Sequence, residues 1–170
     1  MRLIRIPILF VLFFSLSVFS YGQDNIELYI QKYNGLAINM MHLYNIPASV
    51  TLSIAIVESG AGSSVLGRKF HNHFGITGKN FNAVKKLGHR SKYKEYDSDT
   101  ASYQHFCEVI AHKSFFHNLI DNPDYKTWVT AIGKSGYANS SLHWKKKVLS
   151  TIRHYNLQRL DIIEKDPLNK

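Results

Sequence analysis

The sequence predicts a mainly α (α+β) domain: a helical body that carries one small β-like lobe. Three observations lead there. Apolar residues recur at three-and-four spacing through most of the chain, as on the inner faces of packed helices. One stretch, Phe74 to Tyr96, departs from that pattern with Gly75, Gly78 and Gly88 and few large aliphatics, and reads as an irregular lobe or short hairpin. Cys107 is the sole cysteine, so no intrachain disulfide framework is possible. With 170 residues, the chain is long enough for one domain with a real core.

The N-terminus stands apart from that domain. Arg2 and Arg5 precede an apolar stretch from Ile6 to Phe19, and Ser20-Tyr21-Gly22 supplies the small residues of a cleavage site. Residues 1–22 therefore read as a secretory signal peptide removed before Gln23. A retained anchor is the alternative, but the run is shorter than the ~20 residues of a membrane span. No cysteine near the cleavage point marks a lipoprotein. The expected product is exported to the periplasm or beyond, with no membrane attachment after cleavage.

In the mature chain the domain is expected over residues 23–160, with a polar tail at 161–170. Asp24-Asn25 can cap a helix running to about Tyr44, with Ile26, Tyr29, Ile30, Tyr33, Leu36 and Ala37 on one side. Ile46-Pro47 ends it, and Pro47 with Ala48 starts a second helix that closes on Glu58. A short helix over Ser64 to Lys69 follows. Beyond the lobe, helices are expected at Ser98 to Phe116, Asp124 to Lys134 and Ser140 to Tyr155. The last has Leu142, Val148, Leu149, Ile152 and Tyr155 inward, and Lys145, Lys146, Lys147 and Arg153 largely on a solvated face.

Charge narrows the partners. The chain carries 21 Lys+Arg against 12 Asp+Glu, formally +9. Only Arg2 and Arg5 precede the cleavage point, so the basic balance survives processing. Polyanions are the natural partners, whether nucleic acid, anionic lipid, or cell-wall glycan with its acidic peptides. Charge alone does not choose among them. Cys107 sits among Phe106, Val109 and Ile110 and reads as a buried structural thiol.

The segment that carries chemistry is Ile54-Ala55-Ile56-Val57-Glu58-Ser59-Gly60-Ala61-Gly62, followed by Asn72-His73-Phe74-Gly75-Ile76. A lone carboxylate ends an apolar helix and meets glycines at once. Desolvation there raises a carboxyl pKa and keeps Glu58 protonated near neutral pH, as a general acid requires. The glycines leave room for a bulky substrate.

These residues resemble a known family. Ala55 to Gly62 resembles an "A-x-x-E-S-G-W-G" segment, and Asn72 to Ile76 an "N-N-L-F-G-I" segment. Tyr96-Asp97-Ser98 with Ser102 resembles a "Y-x-S" helix start. Gly136-Tyr137-Ala138 resembles a "G-Y-A-T-D" turn, and Ile152 to Leu157 a closing "I-I-x-x-Y-x-L" helix. In this order, over roughly Ile46 to Leu157, the chain resembles the glucosaminidase superfamily (glycoside hydrolase family 73), bacterial mannosyl-glycoprotein endo-β-N-acetylglucosaminidase-like enzymes. That resemblance implies a lysozyme-like fold, with a helical lobe and a β-hairpin lobe facing a groove. The implied partner is the glycan strand of peptidoglycan, not nucleic acid, and no cofactor or metal is implied. The implied roles are Glu58 as catalytic acid and Tyr137 near the scissile bond, orienting the N-acetyl group or a water. Asn72, Phe74, Gly75 and Ala138 would shape the substrate-binding floor.

The chain also departs from the family pattern. Glycosidases generally use two carboxylates, yet Phe81 to Arg90, where members often place an acid in the hairpin lobe, holds none. Glu95 and Asp97 are the nearest candidates for a second catalytic role, unless the substrate's own acetamido group assists. Ala61 replaces an aromatic, Asn139-Ser140 replaces Thr-Asp, and His105 stands where an acid is common. His71-Asn72-His73 is not a nuclease motif, because the residues of that motif are dispersed. None of the nine histidines has metal-ligand spacing. Ser59 lacks the elbow pattern of a nucleophile. Three readings stay open: a wall hydrolase cutting the β-1,4 bond after N-acetylglucosamine, a lytic transglycosylase or muramidase of similar fold, and a catalytically weak glycan-binding or assembly module. With no wall-targeting repeat, delivery by an envelope assembly, conjugation or secretion complex fits an exported domain of this size.

Overall fold

The computed structural model describes residues 9–137 and 141–162. The helices are α1 (Leu9–Tyr44), α2 (Ala48–Ser59), α3 (Val65–Phe70), α4 (Ala83–Leu87), α5 (Asp99–Ala111), α6 (Tyr125–Lys134) and α7 (Ser141–His154). Short 3-10 turns lie at Phe116–Asn118 and Leu157–Asp161. Among the described residues no helix is long and apolar enough to cross a membrane.

Helix α2 is the axis of the body. Its residues Ala48 to Ile56 are all buried, because a helix apolar on every side must be surrounded. Helices α1 and α7 and the Leu157–Asp161 turn pack against it. Tyr29, Tyr33, Ala37 and Met40 of α1, Phe106 and Ile110 of α5, Trp128 and Ile132 of α6, and Val148 and Ile152 of α7 complete one core. Cys107 is fully buried within it, and burial pushes its thiol up to about 12. It is structural, as its apolar setting predicts.

Two boundaries differ from expectation. Helix α1 passes through Asp24-Asn25 without interruption, so that pair is not a helix start. Asp161, the first residue of the expected polar tail, lies in the Leu157–Asp161 turn. Pro47 offers α2 no side-chain cap; instead the Asp161 carboxylate accepts from Ser49 N–H at 2.8 Å and Ser49 Oγ at 2.6 Å. A negative charge at a helix N-terminus satisfies open N–H groups and meets the positive end of the dipole. Asp161 therefore belongs to the folded body. Residues 163–170 of the expected tail lie outside the described residues.

The β lobe lies where the glycines place it, but its β content is a single antiparallel bridge, Thr77 with Tyr93. Backbone bonds Gly78 N–H to Lys92 O and Lys94 N–H to Ile76 O, both 2.9 Å, flank it. Asparagine side chains stand in for a longer ladder. Asn80 Nδ2 donates to Ser91 O (2.8 Å) and Tyr93 O (2.6 Å). Asn72 Nδ2 donates to Ile76 O (2.9 Å) and Lys94 O (2.7 Å), and its Oδ1 accepts from Ile76 N–H (3.1 Å). The short helix α4 fills the middle of the lobe. Lys69 and Lys86 dock it on α3 by reciprocal bonds, each ammonium donating to the other's carbonyl.

A polar cluster ties the lobe to α1 and α5. Asp99, in the first turn of α5, accepts from Tyr33 Oη (2.6 Å), His71 Nδ1 (2.7 Å) and His73 Nε2 (2.9 Å). Burial alone would raise the Asp99 carboxyl. The hydrogen bonds from Tyr33, His73 and His71 outweigh it and hold the group well below the usual carboxylate range. Asp99 is thus ionised and only accepts. His73, kept neutral by burial, donates from Nε2, which assigns its Nδ1 as the acceptor from Tyr29 Oη at 2.8 Å. The cluster fixes the segment 71–75 that leads to the site.

Candidate active site

Glu58 is the penultimate residue of α2, and local geometry explains why it faces open space. Gly60 takes the left-handed conformation (φ 57°) and Ala61 N–H returns to Ile56 O at 2.9 Å, which ends the helix in the manner of a Schellman cap. Buried Ser59 donates to Ala55 O (2.7 Å) and accepts from Gly62 N–H (2.8 Å). It locks the turn, a local role and not a nucleophilic one. The chain leaves immediately after Glu58, whose side chain is left half-buried.

The two carboxylate oxygens meet different surroundings. Oε1 accepts from the indole N–H of Trp144 at 2.6 Å. Oε2 faces Gly75, where a Cβ would stand 3.7 Å away. Gly75 also has φ +63°, a conformation that favours glycine. Burial raises the Glu58 carboxyl above its ordinary value, against the Trp144 hydrogen bond and the Lys147 charge, which lower it. The result is a carboxyl with one oxygen held and the other without a hydrogen-bond partner among the described residues, and with its pKa raised by burial.

The remaining candidates divide. Tyr137 comes near Glu58: its hydroxyl donates to Phe74 O at 2.8 Å, and its ring lies 5.8 Å from that of Trp144. Burial first, and then the Glu58 and Tyr96 charges, raise its phenol well above the ordinary value, so it stays protonated. Phe74 is 2% exposed and stacked on Phe106 with centroids 4.2 Å apart. Asn72 is 1% exposed and engaged with lobe backbone. Both side chains are thus taken up in packing and lobe bonding, and of these three residues it is Gly75 that stands against Glu58 Oε2. Ala138 lies outside the described residues.

Neither acid proposed for a second role hydrogen-bonds Glu58 among the described residues. Glu95 pairs with Lys86 and accepts from Asn82 Nδ2 at 3.1 Å, all within the lobe. The Lys86 hydrogen bond leads the effects that lower its carboxyl. Asp97 is exposed, with no hydrogen bond or ion pair among the described residues. His105 Nδ1 and Tyr96 Oη share a hydrogen bond of 2.7 Å. Both His71 and His73 bond Asp99, so the adjacent histidines serve the fold.

Sequence reasoning missed Trp144. Its signal was present, since Trp144, Val148 and Ile152 recur at every fourth position and all are buried. Leu142, expected inward, is 64% exposed. The Asp99 cluster was also missed, because its partners lie 26 to 66 residues from Asp99 and share no local pattern with it. Among the described residues no group of three His, Cys, Asp or Glu side chains could hold a metal ion.

A helical body with a small lobe, and a glutamate at a helix end between them, is a lysozyme-like glycoside hydrolase architecture. The same fold is seen in the catalytic domain of the autolysin Auto from Listeria monocytogenes, with TM-score 0.65 and 21% identity over 81% of this chain and 88% of that one. It is also seen in a glycoside hydrolase domain of FlgJ from Salmonella typhimurium, with TM-score 0.61 and 15% identity over 77% of this chain and 97% of that one. The chain belongs to the family described as mannosyl-glycoprotein endo-beta-N-acetylglucosaminidase, whose model matches residues 34–157, and it is a glycoside hydrolase of that family. It is 26% identical over 154 residues to the exo-glucosaminidase LytG of Bacillus subtilis (strain 168), covering 81% of this chain and 54% of LytG. The chain thus spans about half the length of that relative.

Proposed function

We propose that this is an exported peptidoglycan hydrolase that cleaves the β-1,4 bond after N-acetylglucosamine, with Glu58 as general acid. The observation that carries the reading is the asymmetry of the Glu58 carboxyl. Oε1 is fixed by Trp144, while Oε2 faces the open side of Gly75 in a setting that favours protonation. Protonated Glu58 gives its proton to the glycosidic oxygen as the C1–O bond breaks and oxocarbenium character develops at C1.

A second carboxylate would stand about 5–9.5 Å from the first and not in contact with it. Glu95 and Asp97 are the candidates for that role, and participation by the substrate's own acetamido oxygen is the alternative that needs no second carboxylate. The acetamido oxygen would attack C1, and water would then open that intermediate, with the Glu58 carboxylate taking the water's proton. In this reading Tyr137, whose hydroxyl donates to Phe74 O, would orient the acetamido group or the water, and Ala138 remains a proposed substrate-binding residue. Export through residues 1–22, and delivery by an envelope assembly or secretion complex, belong to the same proposal.

Mass spectrometry of purified peptidoglycan digested by protein starting at Gln23, beside a Glu58→Gln control, tests it. Glu58-dependent fragments with reducing N-acetylglucosamine ends support the reading. Reducing N-acetylmuramic ends would make it a muramidase, and anhydro ends a transglycosylase. Wall binding without fragments would leave a recognition module.

A further inference from the structure

The lobe beside Glu58 carries a charge that the mechanism does not use. Between Lys79 and Lys94 the sequence places six basic residues and no acid, and the next residue is Glu95. Glu95 is already neutralised by Lys86. Lys79, Lys85, Arg90 and Lys92 are exposed and make no ion pair among the described residues. At the same place Phe81 is 91% exposed and Val84 61% exposed. An aromatic side chain left in water amid unpaired cations has no purpose in the fold, since its removal would uncover nothing.

The lobe is also held in register with the site. Asn72 joins its two strands, α4 is docked on α3, and Gly75 at its root lies against Glu58 Oε2. Lys79 follows Gly75 by four positions, at most about 14 Å of extended chain. Lys92 lies across from Gly78, so Lys79 and Lys92 stand within reach of a strand seated at Glu58, with Lys85 and Arg90 on the same lobe.

We propose that this lobe is a cationic subsite for the stem peptides of the glycan strand, reading their free carboxylates, with Phe81 and Val84 covering their apolar side chains. The inference rests on the peptidoglycan reading above. The charge complementarity favours this occupant: the sugar backbone of the strand is neutral, and the carboxylates of its peptides are the anions that recur beside each cleavable bond. Exposed cations of this kind act through encounter and weak, salt-screened attraction, so the subsite governs substrate choice and not the chemical step.

The test compares strands that keep their stem peptides with strands from which an amidase has removed them. Co-sedimentation of the Glu58→Gln protein measures binding without turnover, and wild-type cleavage is followed in parallel. Binding to stem-bearing strands should be about tenfold tighter at low ionic strength, with the difference lost in high salt. Replacing Lys79, Lys85, Arg90 and Lys92 together by Gln should abolish the preference, raising KM on stem-bearing strands with kcat unchanged. Replacing the three lysines by Arg should retain it and so control for folding. Equal binding of the two strand types by the unaltered lobe overturns the proposal. Phe81-dependent binding to anionic phosphatidylglycerol vesicles without stem preference overturns it in favour of a lipid surface. Absence of cleavage with stem preference intact would instead count against the hydrolase reading alone.

Discussion

The indole N–H of Trp144 and Oε1 of Glu58 lie 2.6 Å apart although 86 residues separate them in sequence. This bond connects α7 to the end of α2; it orients the carboxyl and opposes the larger effect of burial on its acidity. Glu58→Gln should keep the fold and lower kcat by about 10²- to 10⁴-fold, the range for loss of a general acid. Turnover of peptidoglycan with a circular dichroism control checks this.

The pH profile follows from the same bond. Burial raises the Glu58 carboxyl and the Trp144 hydrogen bond lowers it. A general acid works only while protonated, so activity should fall as pH rises through the Glu58 pKa. Trp144→Phe removes a stabiliser of the ionised form and should move that alkaline limb to higher pH, while lowering kcat through loss of orientation. A pH–rate comparison of the two proteins reads the shift, and a limb that does not move would separate Glu58 from it.

Asp99 should govern stability in acid. Its carboxyl is held below its ordinary value of 3.8 by Tyr33, His73 and His71. The stabilisation is therefore full above about that value and is lost as pH falls through the folded-state pKa. Asp99→Asn should cost about 1.5–3 kcal/mol at neutral pH, the scale of hydrogen bonds to a charged group. It should also flatten the acid arm of the stability curve. Urea unfolding from neutral to acidic pH measures both.

Asn72→Ala leaves Ile76 N–H, Ile76 O and Lys94 O without their side-chain partner. Loss of about 1–3 kcal/mol is expected from unsatisfied buried groups. Because the lobe loses its register with Glu58, activity should drop at temperatures where the body is still folded. Parallel melting and activity curves would reveal that gap, and coincident curves would deny it.

Gly75→Ala introduces a side chain at φ +63° and 3.7 Å from Glu58 Oε2. The backbone strain is about 1–2 kcal/mol. The methyl also occupies the open approach to the free oxygen, so kcat/KM should fall by more than stability explains, as steady-state kinetics at low temperature would show.

How far the sequence discloses this molecule depends on how local each feature is. The apolar run of α2 and the glycines after Glu58 act within a few residues, and both the helix end and the carboxyl's setting are legible from them. The glycine-rich character of 74–96 marks the lobe, but not that Asn72 and Asn80 would replace a ladder, since an asparagine in sequence does not state which backbone it will meet. Trp144 carried a readable four-residue period with Val148 and Ile152, yet its partner was beyond any local pattern. The Asp99 cluster gathers α1, the 71–73 segment and α5, and only the packed chain displays it. Asp161 was assigned to a polar tail because its role depends on the N–H groups of a helix 112 residues earlier.

That last contact bears on the order in which the enzyme is completed. The carboxylate that closes the first turn of the helix bearing Glu58 comes from the Leu157–Asp161 turn. A contact of such long sequence separation forms late, because a long loop must be closed before it is rewarded. Until that turn docks, the central helix is unfinished at its N-terminal end, so loosening the turn would loosen the seat of the helix that carries Glu58.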